Sequence, residues 1–259
     1  MERPSEQQIA HFRDRGFLLV PNLLSEEDLR EIDKRQRAIE PIWEQADLPS
    51  SLNRSACQFL MMGEVLLRQV ERPEWIEWAR LLLDCDDVHV GACGLGDASS
   101  IVSADGRPHQ QVHWHADGGP DVAQVAMRTA LDVHGPDNGP LRLLPGSMAR
   151  PREEVLEELR QIELAGGQCD SVPELLFARH PAEVEVRLDP RWTLVWNPST
   201  WHATGVKRSP GRRRAMSWNY FPAGGRNRDR EAVTFFFADE WAGWSAQRQQ
   251  LWGLHEQAV

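Results

Sequence analysis

From about residue 110 to residue 221 the chain is a run of short apolar segments cut apart by turn chemistry. Short strands at near-regular spacing restrict a fold to a sandwich or barrel rather than to βαβ units. Gln111, His113 and His115 share one face of a strand by the period of two. The alternation predicts a strand from Val125 to Val133, with Arg128, Ala130 and Asp132 on one face. Gly135-Pro136-Asp137-Asn138-Gly139-Pro140 is dense turn chemistry, and Leu141 to Leu144 is a strand ending in Pro145-Gly146-Ser147. A helix opened by Pro151 carries the stripe Val155, Leu159, Ile162 and ends at Gly166-Gly167. Val184, Val186 and Leu188 then alternate with charged residues, and Thr193–Trp196, the His202 turn and Arg212–Phe221 complete the set.

The region before this run is helical. Ser5 and Gln8 form a capping-box pattern for a helix stopped by Gly16. Phe17–Val20 is a buried-type strand closed by Pro21, and Ser25 caps a second helix that Pro41 ends. Residues 41–60 carry Pro41, Pro49 and Ser50-Ser51, which points to a loop over a site; parts of 97–110 and 222–240 are the other expected lids. Trp75, Trp78 and Leu82 follow Pro73 at helical spacing and are core. Val88, Val90 and Ala92 alternate like a strand, while Gly91, Gly94 and Gly96 do not spell a dinucleotide fingerprint. Phe235-Phe236-Phe237, Trp241, Trp244 and Trp252 form an aromatic segment packed back on the rest. The fold class is mainly β with flanking helices, as one domain over 1–259. Within it, residues 1–85 are the helical N-terminal region, about 86–222 the barrel, and 223–259 the aromatic segment.

Charge and cysteine usage exclude several function classes. A net charge of -10 argues against a general binder of nucleic acid or anionic membrane. The basic cluster from Lys207 to Arg214 is too local to reverse that, and Arg212 and Arg214, beside the exposed-turn residues Ser209-Pro210-Gly211, read as a solvated charge cluster. No apolar run approaches the roughly 20 residues of a membrane span, and the first residues lack the apolar core of a signal peptide. Cys57, Cys85, Cys93 and Cys169 lie far apart and read as reduced thiols. The expectation is a cytoplasmic protein acting on a small molecule, with oligomeric state open.

Chemistry concentrates in His113-Trp114-His115-Ala116-Asp117 and in Trp201-His202. A His-x-Asp pair and one distant histidine can occupy one face of an octahedral ion and leave three positions for a co-substrate and dioxygen. His109, His113 and His134 are rival imidazoles; His109 and His134 sit in turn-like surroundings that favour the surface.

The ordered motifs resemble the phytanoyl-CoA dioxygenase family of iron(II)/2-oxoglutarate oxygenases. Phe12-Arg13-Asp14-Arg15-Gly16-Phe17 through Pro21 and Ser25-Glu26-Glu27 is similar to the family's opening. Trp114-His115-Ala116-Asp117, then Asp137-Asn138-Gly139-Pro140-Leu141 with Leu144-Pro145-Gly146-Ser147, match its central signatures. Trp201-His202-Ala203-Thr204-Gly205 followed by Arg213-Arg214-Ala215 resembles its closing segment. The resemblance implies a double-stranded β-helix (a jelly-roll, cupin-like barrel) with Fe(II) on His115, Asp117 and His202, using 2-oxoglutarate and O2. It places the distal carboxylate of 2-oxoglutarate on Arg213, eleven positions after the distal histidine, with Arg214 the alternative and Thr204 a hydrogen-bonding partner. His113, Gln111 and Trp201 become candidate substrate contacts.

At Arg128 the chain departs from the family pattern. An arginine facing inward there could hold the 2-oxoglutarate carboxylate, hold an acidic substrate group, or pair with Asp132. Asp117 occupies the position that halogenating relatives leave open, so the implied reaction is a hydroxylation releasing succinate and CO2. The substrate is a small molecule of the specialised-metabolite kind. Desaturation, cyclisation or epimerisation need only another substrate pose. A non-catalytic metal- or ligand-binding barrel and a zinc hydrolase are the readings from other classes.

Overall fold

The first helix forms where its capping signals stand. In the computed structural model, which describes residues 2–97, 112–118, 122–166, 175, 178–224 and 227–254, helix α1 spans Glu6–Arg15. Ser5 and Gln8 cap it reciprocally, and Gly16 closes it at φ 84°. A Cβ at Gly16 would stand 2.2 Å from Thr200 Oγ1, so glycine is required there for space as well as for dihedral angle. Strand β1 (Phe17–Pro21) is an edge strand rather than a buried one, and Leu19 on its outer side is exposed. Helix α2 runs from Glu26 to Glu44 and continues through Pro41, which costs it one backbone hydrogen bond without ending it.

Two antiparallel sheets organise the molecule. The larger has the order β1-β7-β4-β9-β2, built from β1, β7 (Trp192–Trp196), β4 (Val125–Ala130), β9 (Arg214–Pro222) and β2 (Val88–Asp97). The smaller has the order β3-β8-β5-β6, from β3 (Val112–His115), β8 (His202–Thr204), β5 (Leu141–Leu143) and β6 (Val184–Val186). Helices hold 39% and strands 23% of the described residues, yet the sheets carry the site, and among those residues they do not close into a barrel. Strand β4 stops at Ala130, short of the expected Val133, because the chain turns away to bring Asp132 to Arg214.

The larger sheet separates two apolar layers by its period of two. Val125, Met127, Val195, Met216, Trp218 and Tyr220 face outward into a core shared with Ile32, Trp75, Trp78 and Leu82. Each large apolar side chain buried there contributes about 2 kcal/mol. Ala126, Ala130, Leu194 and Trp196 face inward and meet Leu141, Leu143 and Val186 of the smaller sheet.

Residues 41–60 do not form a lid. Asn53 caps helix α3 (Arg54–Leu60), whose Ala56, Cys57, Phe59 and Leu60 are buried in the outer core. The apolar content of that helix, masked in the sequence by the prolines and serines before it, decides its place. The C-terminal aromatics pack as expected, with Phe237 and Trp252 buried, although Phe235 is exposed. Cys57, Cys85 and Cys93 are free thiols, and Cys169 lies outside the described residues. Among the described residues no helix is long and apolar enough to cross a membrane.

Candidate metal and co-substrate site

Strand pairing brings the two halves of the metal motif together. His115 at the end of β3 is the register partner of His202 at the start of β8, and their rings lie 4.2 Å apart by centroid. Asp117 follows two residues later, where its backbone N–H donates to the Pro198 carbonyl at 2.8 Å. One ligand atom from each of His115, Asp117 and His202 falls within 4.8 Å of the others. Asp117 Oδ1 is 3.8 Å from His115 Nε2, and Oδ2 is 3.6 Å from His202 Nε2.

The imidazoles are set up as ligands. Nδ1 of His115 is 2.8 Å from the His113 carbonyl, and Nδ1 of His202 is 2.8 Å from the Thr200 carbonyl. Each carbonyl can only accept, so each Nδ1 carries the proton and each Nε2 is left with a lone pair aimed at the shared space. Burial, with His202 adjacent, pushes the His115 pKa down, which keeps the ring neutral. The His202 imidazole holds the Asp117 carboxyl below its usual range, against the effect of burial. Two neutral nitrogens and one carboxylate suit a divalent transition metal with open positions.

The turn motifs read from the sequence position these groups. Ser147 Oγ accepts from the Trp201 N–H at 2.8 Å, and the Leu144 N–H donates to the Trp201 carbonyl at 2.9 Å. The Pro-Gly-Ser turn therefore clamps the residue before His202. Buried Asn138 donates from Nδ2 to the carbonyls of Val133 (2.7 Å) and Arg212 (2.9 Å), and its Oδ1 accepts from Lys207 Nζ at 2.9 Å. Gly139 is at φ 62° and its carbonyl accepts from Arg213 Nε at 2.6 Å; a Cβ there would lie 2.8 Å from that nitrogen. The Asn-Gly turn thus seats Arg213.

The 207–214 segment is not a solvated charge cluster. Lys207 and Arg213 are buried, and Arg214 is sandwiched by Asp132 (2.8 Å) and Asp33 (2.7 Å). That arrangement commits Arg214 to packing α2 on the sheet. It also removes Asp132 as a partner for Arg128. Arg213 instead shares the inward parity of Ala215, Ser217 and Asn219, and its Nη2 is buried with no hydrogen-bond partner among the described residues.

A cavity of about 530 Å³ opens on the three ligands. Arg128, Thr204, Trp196, Leu141 and Ser217 line its wall beside His115 and His202. Arg128 Nε is also sealed from solvent without a partner among the described residues. Burial lowers the Arg128 pKa to about 10, and burial with Arg128 nearby lowers that of Arg213 to about 9. Both stay cationic at neutral pH.

Three candidates stand elsewhere than the sequence placed them. His134 is buried rather than on the surface; its Nε2 lies 3.0 Å from the Arg214 carbonyl, and Nδ1 has no partner among the described residues. Burial and the charges of Arg128 and Arg213 lower its pKa to about 3. Trp201 turns away from the cavity into a cluster with Trp114, Leu144 and Val155. His113 is exposed, with its ring 5.4 Å from that of His115, and does not line the cavity. Gln111, His109 and residues 98–110 lie outside the described residues. Trp196, Gln124, Asn219, Phe221 and Arg228 line the cavity and were missed. The inward parity of β9 could have found Asn219 and Phe221; no sequence signal marks Arg228.

Comparison with known proteins gives the family and the fold. The family model for phytanoyl-CoA dioxygenase (PhyH) matches residues 12–215. Among solved structures, EctD from S. alaskensis with bound Fe is similar at 20% identity and TM-score 0.61, covering 86% of this chain and 79% of that one. EctD has also been crystallised with 2-oxoglutarate and 5-hydroxyectoine. SnoN, a non-heme alpha ketoglutarate dependent epimerase from nogalamycin biosynthesis, is similar at 16% identity and TM-score 0.60, over 84% of this chain and 83% of that one. A search of the curated proteins finds no match. The chain belongs to the phytanoyl-CoA dioxygenase family and is an iron- and 2-oxoglutarate-dependent oxidoreductase.

Proposed function

We propose that this enzyme hydroxylates a small molecule, with iron held by His115, Asp117 and His202 and 2-oxoglutarate anchored by Arg213 and Arg128. The carrying observation is a pair of sealed guanidinium nitrogens without partners among the described residues: Arg128 Nε, on a side chain that lines the cavity with the ligand set, and Arg213 Nη2, on the cation next to Arg128, which does not itself line that cavity. Buried donors without acceptors are costly, and a carboxylate satisfies them. Bound iron couples reduction of dioxygen to decarboxylation of 2-oxoglutarate and oxidation of the substrate.

The chain's own residues supply position. The His113 and Thr200 carbonyls fix both imidazoles in the ligating tautomer. Thr204, buried two positions after His202, offers a hydroxyl to the same carboxylate as the arginines. Trp196 stands edge-on to His202, 6.3 Å away by centroid, and limits water on that side. Its indole N–H is buried without a partner among the described residues and offers one more donor to a bound anion. Lysis of 2-oxoglutarate to succinate and CO2 by the iron-loaded protein, lost in Asp117→Ala, tests this reading. Retained turnover in that variant, or iron-independent turnover, contradicts it. The product formed from an identified substrate distinguishes hydroxylation from desaturation, cyclisation or epimerisation. The small-molecule reading rests on a cavity of about 530 Å³, a size suited to the co-substrate and one small organic molecule.

A further inference from the structure

We propose that the substrate carries a carboxylate and that Arg228 is the specificity-determining residue that binds it. The inference rests on the oxygenase reading above. Arg228 lines the same cavity as His115, Asp117 and His202. Among the described residues it makes no hydrogen bond or ion pair, although it is close enough to act electrostatically on Asp117 and Asp229.

The turn that presents Arg228 is built at unusual cost. Its neighbours on both sides, Asn227 and Asp229, are 3% and 1% exposed. Asn227 donates from Nδ2 to the carbonyls of Val90 (2.8 Å) and Trp252 (2.6 Å), and its Oδ1 accepts from the Asp229 N–H at 2.9 Å. Asp229 Oδ2 accepts from the Cys93 N–H at 2.7 Å, while Oδ1 is buried without a partner among the described residues. Burial raises the Asp229 pKa. Both contacts reach strand β2 around its bulge, where Ala92 adopts φ 50° and itself lines the cavity. Bulges of this kind re-aim side chains beside active sites. A connecting loop needs neither two buried polar groups nor a strained alanine; a turn that must hold one cation at a cavity does.

Charge points the same way. Asp117 is the single carboxylate among the described residues lining the cavity, against Arg128 and Arg228, with Arg213 beside Arg128. A metal dication and a co-substrate dianion cancel. The three guanidiniums against Asp117 then leave two positive charges in a protein whose net charge is -10. Arg213 and Arg128 answer the co-substrate, and Arg228 is left for the substrate. Phe221 and Val122 give an apolar wall, and the amide pair Asn219 Nδ2 to Gln124 Oε1, at 2.8 Å, gives a polar one for the carbon skeleton between.

The test uses the protein loaded anaerobically with Fe(II) and 2-oxoglutarate, whose visible charge-transfer absorption reports a formed site. Cyclohexanecarboxylate and cyclohexanecarboxamide, one skeleton with and without the charge, are titrated by tryptophan fluorescence. The acid is expected to bind at least about 10-fold tighter to the wild type, as a charge-assisted pair requires. Arg228→Gln removes that preference with the visible absorption intact, and Arg228→Lys restores some of it. Equal binding of acid and amide, no binding of the acid, or a preference surviving in Arg228→Gln overturns the proposal. Failure of the visible absorption to form in the wild type overturns the oxygenase reading, and this inference with it.

Discussion

Replacing Arg213 by methionine separates its role toward a ligand from its role in the fold. In the free protein Arg213 is 6% exposed; among the described residues its guanidinium makes one hydrogen bond, to the Gly139 carbonyl at 2.6 Å, and lies beside a second buried cation, Arg128. Losing the Gly139 bond costs about 1 kcal/mol. Removing one of two buried like charges returns at least as much, since each pKa unit of depression corresponds to about 1.4 kcal/mol against the charged form. Methionine fills most of the volume, so the ligand-free Tm is expected to stay level or to rise by a few degrees, at about 2–4 °C per kcal/mol for a chain of this size. Binding of 2-oxoglutarate reverses the account, because the carboxylate loses a charge-assisted partner worth about 2–5 kcal/mol. Arg128 retains some of that, so the KM for 2-oxoglutarate should rise about 30- to 100-fold with a smaller change in kcat. Thermal denaturation followed by circular dichroism, beside steady-state kinetics, reads both effects. A variant with wild-type KM and a Tm many degrees lower would show that Arg213 is structural, and would refute the reasoning.

The remaining predictions concern the buried charges around it. Although burial works against it, hydrogen bonds from Arg214 hold the Asp132 carboxyl below its usual range. Its contribution is therefore present above the ordinary carboxylate pKa of about 3.9 and is lost as pH falls through the depressed value. Asp132→Asn should cost about 2 kcal/mol in urea denaturation at pH 7, and the difference from wild type should shrink at acid pH; a constant difference would contradict this. His134 gives a slope of the same sign by a different route, because the fold holds its ring neutral. With a folded pKa of about 3, the unfolded chain takes up a proton below about 6.5 that the folded chain refuses until about 3. Stability should decrease as pH is lowered across that window, by at most about 1.4 kcal/mol per unit, and His134→Gln should flatten the slope; parallel stability curves would count against it.

The fold was legible where local chemistry and global packing agree. Ser5, Gln8 and Gly16 delimit α1 by capping alone, and the parity of Val125–Ala130 and Arg214–Pro222 separates the core from the cavity. The metal motif was legible because His115, Asp117 and His202 belong to an ordered set of signatures. Burial was less so. Lys207, Arg214 and His134 look like surface residues in sequence, and only the Asn138 latch and the Asp132 and Asp33 partners show why they are inside. Residues 41–60 read as a loop because Pro49 and the serines mask the apolar face of α3. Arg228 was invisible, since its place depends on Asn227 and Asp229 reaching a distant strand.

The central claim is that His115, Asp117 and His202 form an iron site that takes 2-oxoglutarate. Anaerobic titration of the metal-free protein with Fe(II) and then 2-oxoglutarate, followed by visible absorption, tests it most directly. The account predicts a weak charge-transfer band that saturates at one equivalent in the wild type and is absent in Asp117→Ala. No band in a wild-type protein that binds zinc tightly, or an undiminished band in the variant, would contradict it.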